Sequence, residues 1–338
     1  MSVNTSAPSA DFAESAKRPA AAPGVLYPED ALLLAPLADY TDWPYRRACR
    51  RFGCRYAFTP LVDAGCLTYH PERGGRSLHR GADEPWLGVQ LVGANPHFFA
   101  EAVRVANDHD YDVLDLNMGC PMPKITKRGA GAALCRNLPL ALECLAVITR
   151  RSRFPVTAKI RVLDPADPAP TVRLALALQE AGIQALTVHG RIERLIYAGP
   201  VAADVIGAVR AALRIPVVAN GGIFNAADAA ALRRATGCSR VMIARGSIGN
   251  PWIFRELLAA PGEAVPPPDR AEACQVMAEH VAGMIDLYGD AVALRCARKI
   301  ILAYLKGRGF PHPLKNQVCE LRTRAEFLGF IERLREGG

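Results

Sequence analysis

The stretch Leu114-Asp115-Leu116-Asn117-Met118-Gly119-Cys120-Pro121 decides how the rest of the chain is read. It begins as a short apolar run of the kind that forms a buried strand in a parallel sheet. It then stops: Asn117 and Gly119 favour a turn, and Pro121 cannot continue a ladder. Cys120 is thereby expected on a tight loop at the carboxyl end of a strand. Lys124, Lys127, Arg128 and the small-residue run from Gly129 follow, a basic loop leading into a helix. A thiol held beside cations on such a loop points to chemistry, although a free Cys is as often a small buried hydrophobe.

Outward from this stretch, apolar strand-like runs recur at residues 31–38, 56–62, 86–93, 113–119, 156–162, 185–191, 217–223 and 241–247. Helix-length amphipathic segments separate most of them, as at 138–153, 171–181 and 226–235. Strands alternating with helices imply right-handed βαβ units and a parallel sheet. Eight such units predict a TIM (β/α)8 barrel. An open doubly wound sheet is the alternative, but rarely runs to eight consecutive regular units.

Composition agrees with this class. The chain has 338 residues, enough for one barrel and an extension, and half of them are hydrophobic. No apolar run approaches the roughly 20 residues needed to cross a bilayer, which predicts a soluble chain. A net charge of +8 favours a polyanionic partner. The ten cysteines form no C-x-x-C pair, so free thiols in a reducing cytoplasm are expected and a metal site is not. Residues 1–24, rich in Ala, Ser and Pro, are expected to form a disordered tail, with the barrel occupying 25–261. The chain is expected to be a monomer.

In TIM barrels the site is built at the carboxyl ends of the strands. Polar residues interrupt apolar runs at those places: Gln90, then Lys159 with Arg161 on the same face, His189 with Arg191, and Asn220. A lysine in a barrel strand is costly unless it meets a partner, whereas His189 alone would more often be a satisfied core histidine. Two further loops, Asn220-Gly221-Gly222 and Ala244-Arg245-Gly246, follow strands seven and eight, where barrels frequently bind phosphate through backbone N–H groups. Ordinary turn glycines are the alternative there. Gly129-Ala130-Gly131 is no dinucleotide fingerprint, because it follows a basic loop and has no third glycine or acidic partner.

After residue 261 the pattern changes. Pro266-Pro267-Pro268 reads as a stiff linker, and 262–338 as a small helical domain with stripes at Met277, Val281, Met284, Ile285 and at Ile300, Ile301, Tyr304, Leu305. Cations collect there (Arg295, Arg298, Lys299, Lys306, Arg308, Lys315) and after strand one (Arg46, Arg47, Arg50, Arg51, Arg55). Either cluster is weak evidence of nucleic acid by itself, since charge runs are usually solvated helix faces.

These residues together resemble the tRNA-dihydrouridine synthase family, with spacing most like its bacterial B-type branch. The matching pieces are Ala35-Pro36-Leu37-Ala38 with Thr41-Asp42, Val89-Gln90-Leu91-Val92-Gly93, Asp115-Leu116-Asn117-Met118-Gly119-Cys120-Pro121, Lys159-Ile160-Arg161, His189-Gly190-Arg191, Asn220-Gly221-Gly222 and Met242-Ile243-Ala244-Arg245-Gly246. Gly249-Asn250-Pro251-Trp252 and Ala297-Arg298-Lys299 also fit. Gly222, Ala244 and Ile192 depart from the residues usual at their positions. The resemblance implies an FMN-containing barrel whose helical domain helps hold tRNA, and NADPH as the reductant. It implies that Pro36, Leu37, Ala38, Gln90, Lys159, His189, Asn220, Gly221, Gly222, Ala244 and Arg245 line the flavin site, with Cys120 as proton donor. Reduction of the uracil C5–C6 bond then needs a hydride from the cofactor and a proton from the protein, a role open to a thiol that keeps its proton at neutral pH. Competing readings are another FMN barrel oxidoreductase of dihydroorotate or enoate type, an aldolase using Lys159 as a Schiff base, and a non-catalytic RNA-binding barrel.

Overall fold

The computed structural model describes residues 26–70, 76–260 and 262–336, so the tail expected at 1–24 lies outside the described residues. Eight parallel strands close into one barrel in sequence order: β1 Leu32–Leu34, β2 Tyr56–Asp63, β3 Leu87–Val92, β4 Val113–Met118, β5 Val156–Arg161, β6 Leu186–His189, β7 Val217–Asn220 and β8 Arg240–Ile243. The ladder from β1 to β8 pairs Leu32 with Val241 and Leu34 with Ile243, which removes the sheet edge. Helices cover the outside. Several begin at the side-chain caps their sequence offers: Asn95 for Pro96–Asn107, Asn137 for Leu138–Arg151 and Asn225 for Ala226–Thr236.

All the strands but β2 end short of the carboxyl ends of their apolar runs. β1 stops at Leu34 because Pro36 has no N–H to donate, although the Ala35 N–H still bonds the Ile243 carbonyl at 2.8 Å. The residues released from β1, β6, β7 and β8 become the loops over the barrel mouth.

Strand alternation sorts the interior into layers. On β4 the inward face reads Val113, Asp115, Asn117, and on β5 Thr157, Lys159, Arg161. The floor is apolar, with Leu33, Phe58, Val113, Val218 and Met242 in one buried cluster with Tyr27 and Trp86. Above it lies a polar layer, Gln90, Asp115 and Thr157, all buried. The mouth carries Asn117, Lys159, His189 and Asn220.

Beyond the barrel run helices Arg270–Tyr288, Asp290–Leu305, His312–Gln317 and Arg324–Glu336. Both expected stripes are buried, and they belong to the same apolar cluster as the barrel's helical shell. Docking is close. Gly249, at φ +65°, lies so near the last helical turn of Asp290–Leu305 that a Cβ there would be 2.3 Å from the Ala303 carbonyl carbon. Tyr45 of the barrel bonds Ser247 at 2.8 Å, and its ring meets that of His280 at 5.4 Å.

Part of the basic cluster after strand one, Arg46 and Arg50, is spent inside the protein and not offered to RNA. Helix Trp43–Arg50 turns Arg46 inward, where it grips Glu84 through two bonds of 2.8 and 2.7 Å and donates to the Thr41 carbonyl at 2.7 Å. Arg50 pairs with the same carboxylate, and the Gly81 N–H donates to it as well. Thr41 in turn exchanges hydrogen bonds with Leu37, so this buried pair braces the loop after β1. Glu84→Gln is therefore expected to cost about 3–5 kcal/mol, the range for stranding a buried charge, and to lower the urea midpoint without changing the m-value.

Candidate active site

A cavity of about 400 Å³ opens at the carboxyl ends of the strands, within the range of small-molecule sites. It is lined by loops after β1 (Pro36, Leu37, Ala38), β4 (Cys120), β7 (Gly221, Gly222) and β8 (Ala244, Arg245), and by the strand-end residues Lys159, His189 and Asn220. Eleven of the twelve residues expected at the site thus line this one cavity. Gln90 is the exception: it is fully buried and absent from the lining. Its inward position on β3 places it a layer below the mouth, where Asp115 and Asn117 occupy both ends of its amide.

The Cys120 loop is pinned from three sides. Asn117 Oδ1 accepts the Gly119 and Cys120 N–H groups at 3.1 and 2.9 Å, an Asx-type turn that ends β4. Arg161 Nε donates to the Gly119 carbonyl at 2.7 Å, and the Ala132 N–H to the Cys120 carbonyl at 2.9 Å. Gly131 permits that last bond. It sits at φ +60°, and a Cβ there would lie 2.6 Å from the Cys120 oxygen.

The mouth is strongly cationic. Lys159, Arg161, Arg191 and Arg245 line it against a single carboxylate, Asp39. Burial, with Arg161 nearby, pushes the Lys159 ammonium down to about 8, while Asp115 pulls the other way. Lys159 Nζ donates to Asn220 Oδ1 at 3.0 Å, and the Asn220 amide donates to the Met242 carbonyl at 2.7 Å. Burial first, and then the four surrounding cations, hold His189 neutral far below the usual imidazole range. Below them, burial lifts Asp115 up to about 6 against the hydrogen bonds of Gln90 and Thr157 and the charge of Lys159.

Two features fit a phosphate-bearing anionic cofactor. Arg191 uses Nε on the Gly199 carbonyl, but its buried Nη1 has no partner. Beside it Gly221 and Gly222 take φ +127° and +73°, and a Cβ on Gly221 would come within 3.1 Å of the His189 ring. This is a backbone cradle with an unspent guanidinium N–H at its side.

Other lining residues carry no chemical motif. Tyr197 and Phe224, both about half exposed, flank the Arg245 guanidinium at 4.2 and 5.5 Å. Their only sequence signal is an aromatic ring in a strand-end loop. Lys299, from the helical region, sits 4.0 Å from the ring centre of Tyr40 and 3.8 Å from Asp39, both on the cavity rim.

Gly131→Ala is expected to cost about 1–3 kcal/mol through backbone strain and to speed alkylation of Cys120 several-fold as the loop loosens. Gly129→Ala, also at positive φ but with only Ala94 Cβ at 3.6 Å nearby, should strain the backbone without that change at the thiol. Mass spectrometry of the Cys120 peptide after timed iodoacetamide treatment compares the two.

Comparison with known proteins agrees with this geometry. The family model described as dihydrouridine synthase (Dus) matches residues 33–336. The tRNA-dihydrouridine synthase B of Shewanella oneidensis is 33% identical over 306 residues, covering 90% of this chain and 95% of its own. The protein of the same name from Xanthomonas axonopodis pv. citri is 37% identical over 298 residues, covering 87% and 88%. That from Pseudomonas aeruginosa is 36% identical over 277 residues, covering 81% and 83%. A cationic strand-end cavity beside a pinned thiol, within a match that runs nearly the length of the described residues, has one explanation: the chain belongs to the dihydrouridine synthase family, on its B-type branch.

Proposed function

We propose that this protein reduces specific uridines of tRNA to 5,6-dihydrouridine, with FMN as bound cofactor, NADPH as electron donor and Cys120 as the proton donor. The observation that carries the reading is the shared cavity: Cys120 lines it together with Lys159, His189, the Gly221-Gly222 cradle and Arg245. The activity belongs in the cytoplasm, where tRNA is met. Among the described residues no helix is long and apolar enough to cross a membrane.

When bound, the flavin supplies the hydride that one carbon of the uracil double bond receives. The chain's own residues do the rest. Gly221, Gly222, Arg191 and Arg245 would hold the phosphate, while Lys159, with Asn220 fixing its ammonium, would offset negative charge on the flavin. Pro36, Leu37 and Ala38 supply an apolar wall that excludes water. The Cys120 loop, unable to shift on its three backbone anchors, presents the Sγ–H to the other carbon of the double bond. The Cys120 thiol would give its proton to that carbon and take another from solvent, so the thiol is restored over the turnover.

The uridine must leave its stack to enter the cavity. Tyr197, Phe224 and Met122, all exposed at the rim, offer apolar surface for it and its neighbours. A second cavity of about 800 Å³ shares Phe224, Arg245 and Ile248 with the first and runs to Lys306 and Arg308. Together with exposed Lys124, Lys127 and Lys299 these cations suit an RNA backbone.

Three outcomes test the reading. Cys120→Ala should keep its flavin and its reduction by NADPH, yet form dihydrouridine about 10²–10⁴ times more slowly, the range for losing a positioned general acid. A wild-type rate in single turnover removes Cys120 from the chemistry. Lys159→Met should instead lose flavin. In the wild type, flavin affinity should weaken as pH rises through about 8, because Lys159 is charged below that value and neutral above it; the Met variant should show no such trend. Finally, affinity for an unmodified tRNA transcript should fall steeply with salt. Replacing Lys124, Lys127 and Lys299 with Ala should make the slope shallower by about one for each phosphate no longer neutralised.

A further inference from the structure

The loop after β8 is anchored by a side chain that does not line the cavity. β8 ends at Ile243, and a single 3-10 turn, Arg245–Ser247, carries Arg245 to the cavity wall. The Ala244 carbonyl closes that turn, accepting the Ser247 N–H at 3.1 Å and the Ser247 hydroxyl at 2.7 Å. Ser247 has one hydroxyl proton, and the carbonyl takes it. The Tyr45 hydroxyl, 2.8 Å from Ser247 Oγ, is therefore the donor in the bond between them. Burial pushes the phenol well above its usual range, so the proton is there to give. Both residues are fully buried, so solvent cannot stand in for a missing partner.

Contacts on either side decide what this anchor controls. Toward the cavity, Gly246 lies against the loop after β7, where a Cβ on it would be 2.2 Å from the Ile223 carbonyl oxygen. The Arg245 turn and the Gly221-Gly222 cradle are thus packed on each other, and the aim of the guanidinium depends on where the turn sits. Away from the cavity, Tyr45 has little freedom. It stands on helix Trp43–Arg50, with its ring 5.4 Å from that of His280 on helix Arg270–Tyr288. His280 Nδ1 lies 3.2 Å from the Tyr304 hydroxyl, on the same helix as the Ala303 that Gly249 approaches. The phenol is wedged between barrel and helical region, and its hydroxyl passes that fixed position to Ser247.

We propose that Tyr45 is a positioning residue for the anion site: its hydroxyl fixes Ser247, and through it the turn that aims Arg245 at the phosphate of the cofactor. Neither Tyr45 nor Ser247 lines the cavity, so neither touches what is bound there. The helical region, which clamps the phenol, thereby bears on phosphate binding without reaching it. The proposal rests on FMN being the cofactor. A hydroxyl that acts through Arg245 bears on the phosphate end of the flavin alone, whereas one that merely holds the fold together bears on the ring site as well. Riboflavin, the same ring system without the phosphate, separates the two.

The full-length, FMN-loaded protein is brought to equilibrium with excess riboflavin, and the bound flavins are separated by chromatography. Their proportion gives the preference for FMN over riboflavin, a ratio in which a general loosening of the ring site cancels. Tyr45→Phe removes the hydroxyl and keeps the ring. It should lower that preference about five-fold, the scale of one lost hydrogen bond. Ser247→Ala should lower it at least as far. Adding Tyr45→Phe to Ser247→Ala should change it by less than about two-fold further, because the phenol acts through Ser247. A wild-type preference in Tyr45→Phe overturns the proposal, even if both flavins are bound more weakly. So does a double variant in which the two losses multiply, since the phenol would then act by another route. If Tyr45→Phe does not fold, Ser247→Ala decides alone, and an unchanged preference overturns the anchor. A wild type that does not prefer FMN to riboflavin sinks the phosphate site and the proposal together. A wild type that prefers FMN leaves that reading standing whatever the variants show.

Discussion

Lys159, Arg161, Arg191 and Arg245 repel one another across one barrel mouth, and the site is built to contain that repulsion. The four cations share the lining with a single carboxylate, in surroundings where charge is poorly screened. The fold holds them apart by giving each a fixed acceptor. Arg161 takes the Gly119 and Ile196 carbonyls, Arg191 the Gly199 carbonyl, and Lys159 the Asn220 amide oxygen. Arg245 lies between two aromatic rings. None of these acceptors carries a full negative charge, so the mouth keeps a net attraction for an anion. Burial first, and the neighbouring cations second, lower the affinity of Lys159 for its proton and keep His189 neutral.

The same arginine that tolerates this crowding also shapes the loop with the thiol. Arg161 reaches the Gly119 carbonyl from β5 while Asn117 reaches the Gly119 and Cys120 N–H groups from β4, so the loop is held by two neighbouring strands. Rigid strands supply these anchors, and the geometry of a site depends on how rigidly its supports are held. The opposite side of the mouth is built differently. There the loop after β1 rests on Thr41, Arg46 and Glu84, an ion pair with its charges taken out of water and its remaining donors spent on backbone. The helical region completes that side, since Gly249 lets it approach the loop after β8 and Lys299 reaches Tyr40 on the rim.

Much of this is legible without coordinates. Alternating apolar runs and helical segments announce eight βα units, and polar residues at strand ends announce a mouth. The Lys159, His189 and Asn220 positions need only the rule that barrel sites lie at strand carboxyl ends. Where pattern misleads, the cause is shared. Arg46 and Arg50 belong to a run of arginines that charge patterning treats as a surface, yet their partner Glu84 lies over thirty residues away. The depth of Gln90 in the barrel, beside Asp115 and Asn117, is likewise not readable from its strand. Tyr197 and Phe224 belong to loops with no period at all.

Residue order alone is enough for the fold class, the face of each strand that turns inward, and the chemical character of the cavity. Those properties follow from spacing of two or three to four residues along one segment, and spacing survives without a partner. Three things wait for the folded chain: which cations are spent inside, which end of each buried amide faces the thiol loop, and where the helical region meets the rim. Each of those is a contact between segments 25 to more than 200 residues apart. A hydrogen bond or ion pair has a direction and a partner, and neither is written in the residue that makes it.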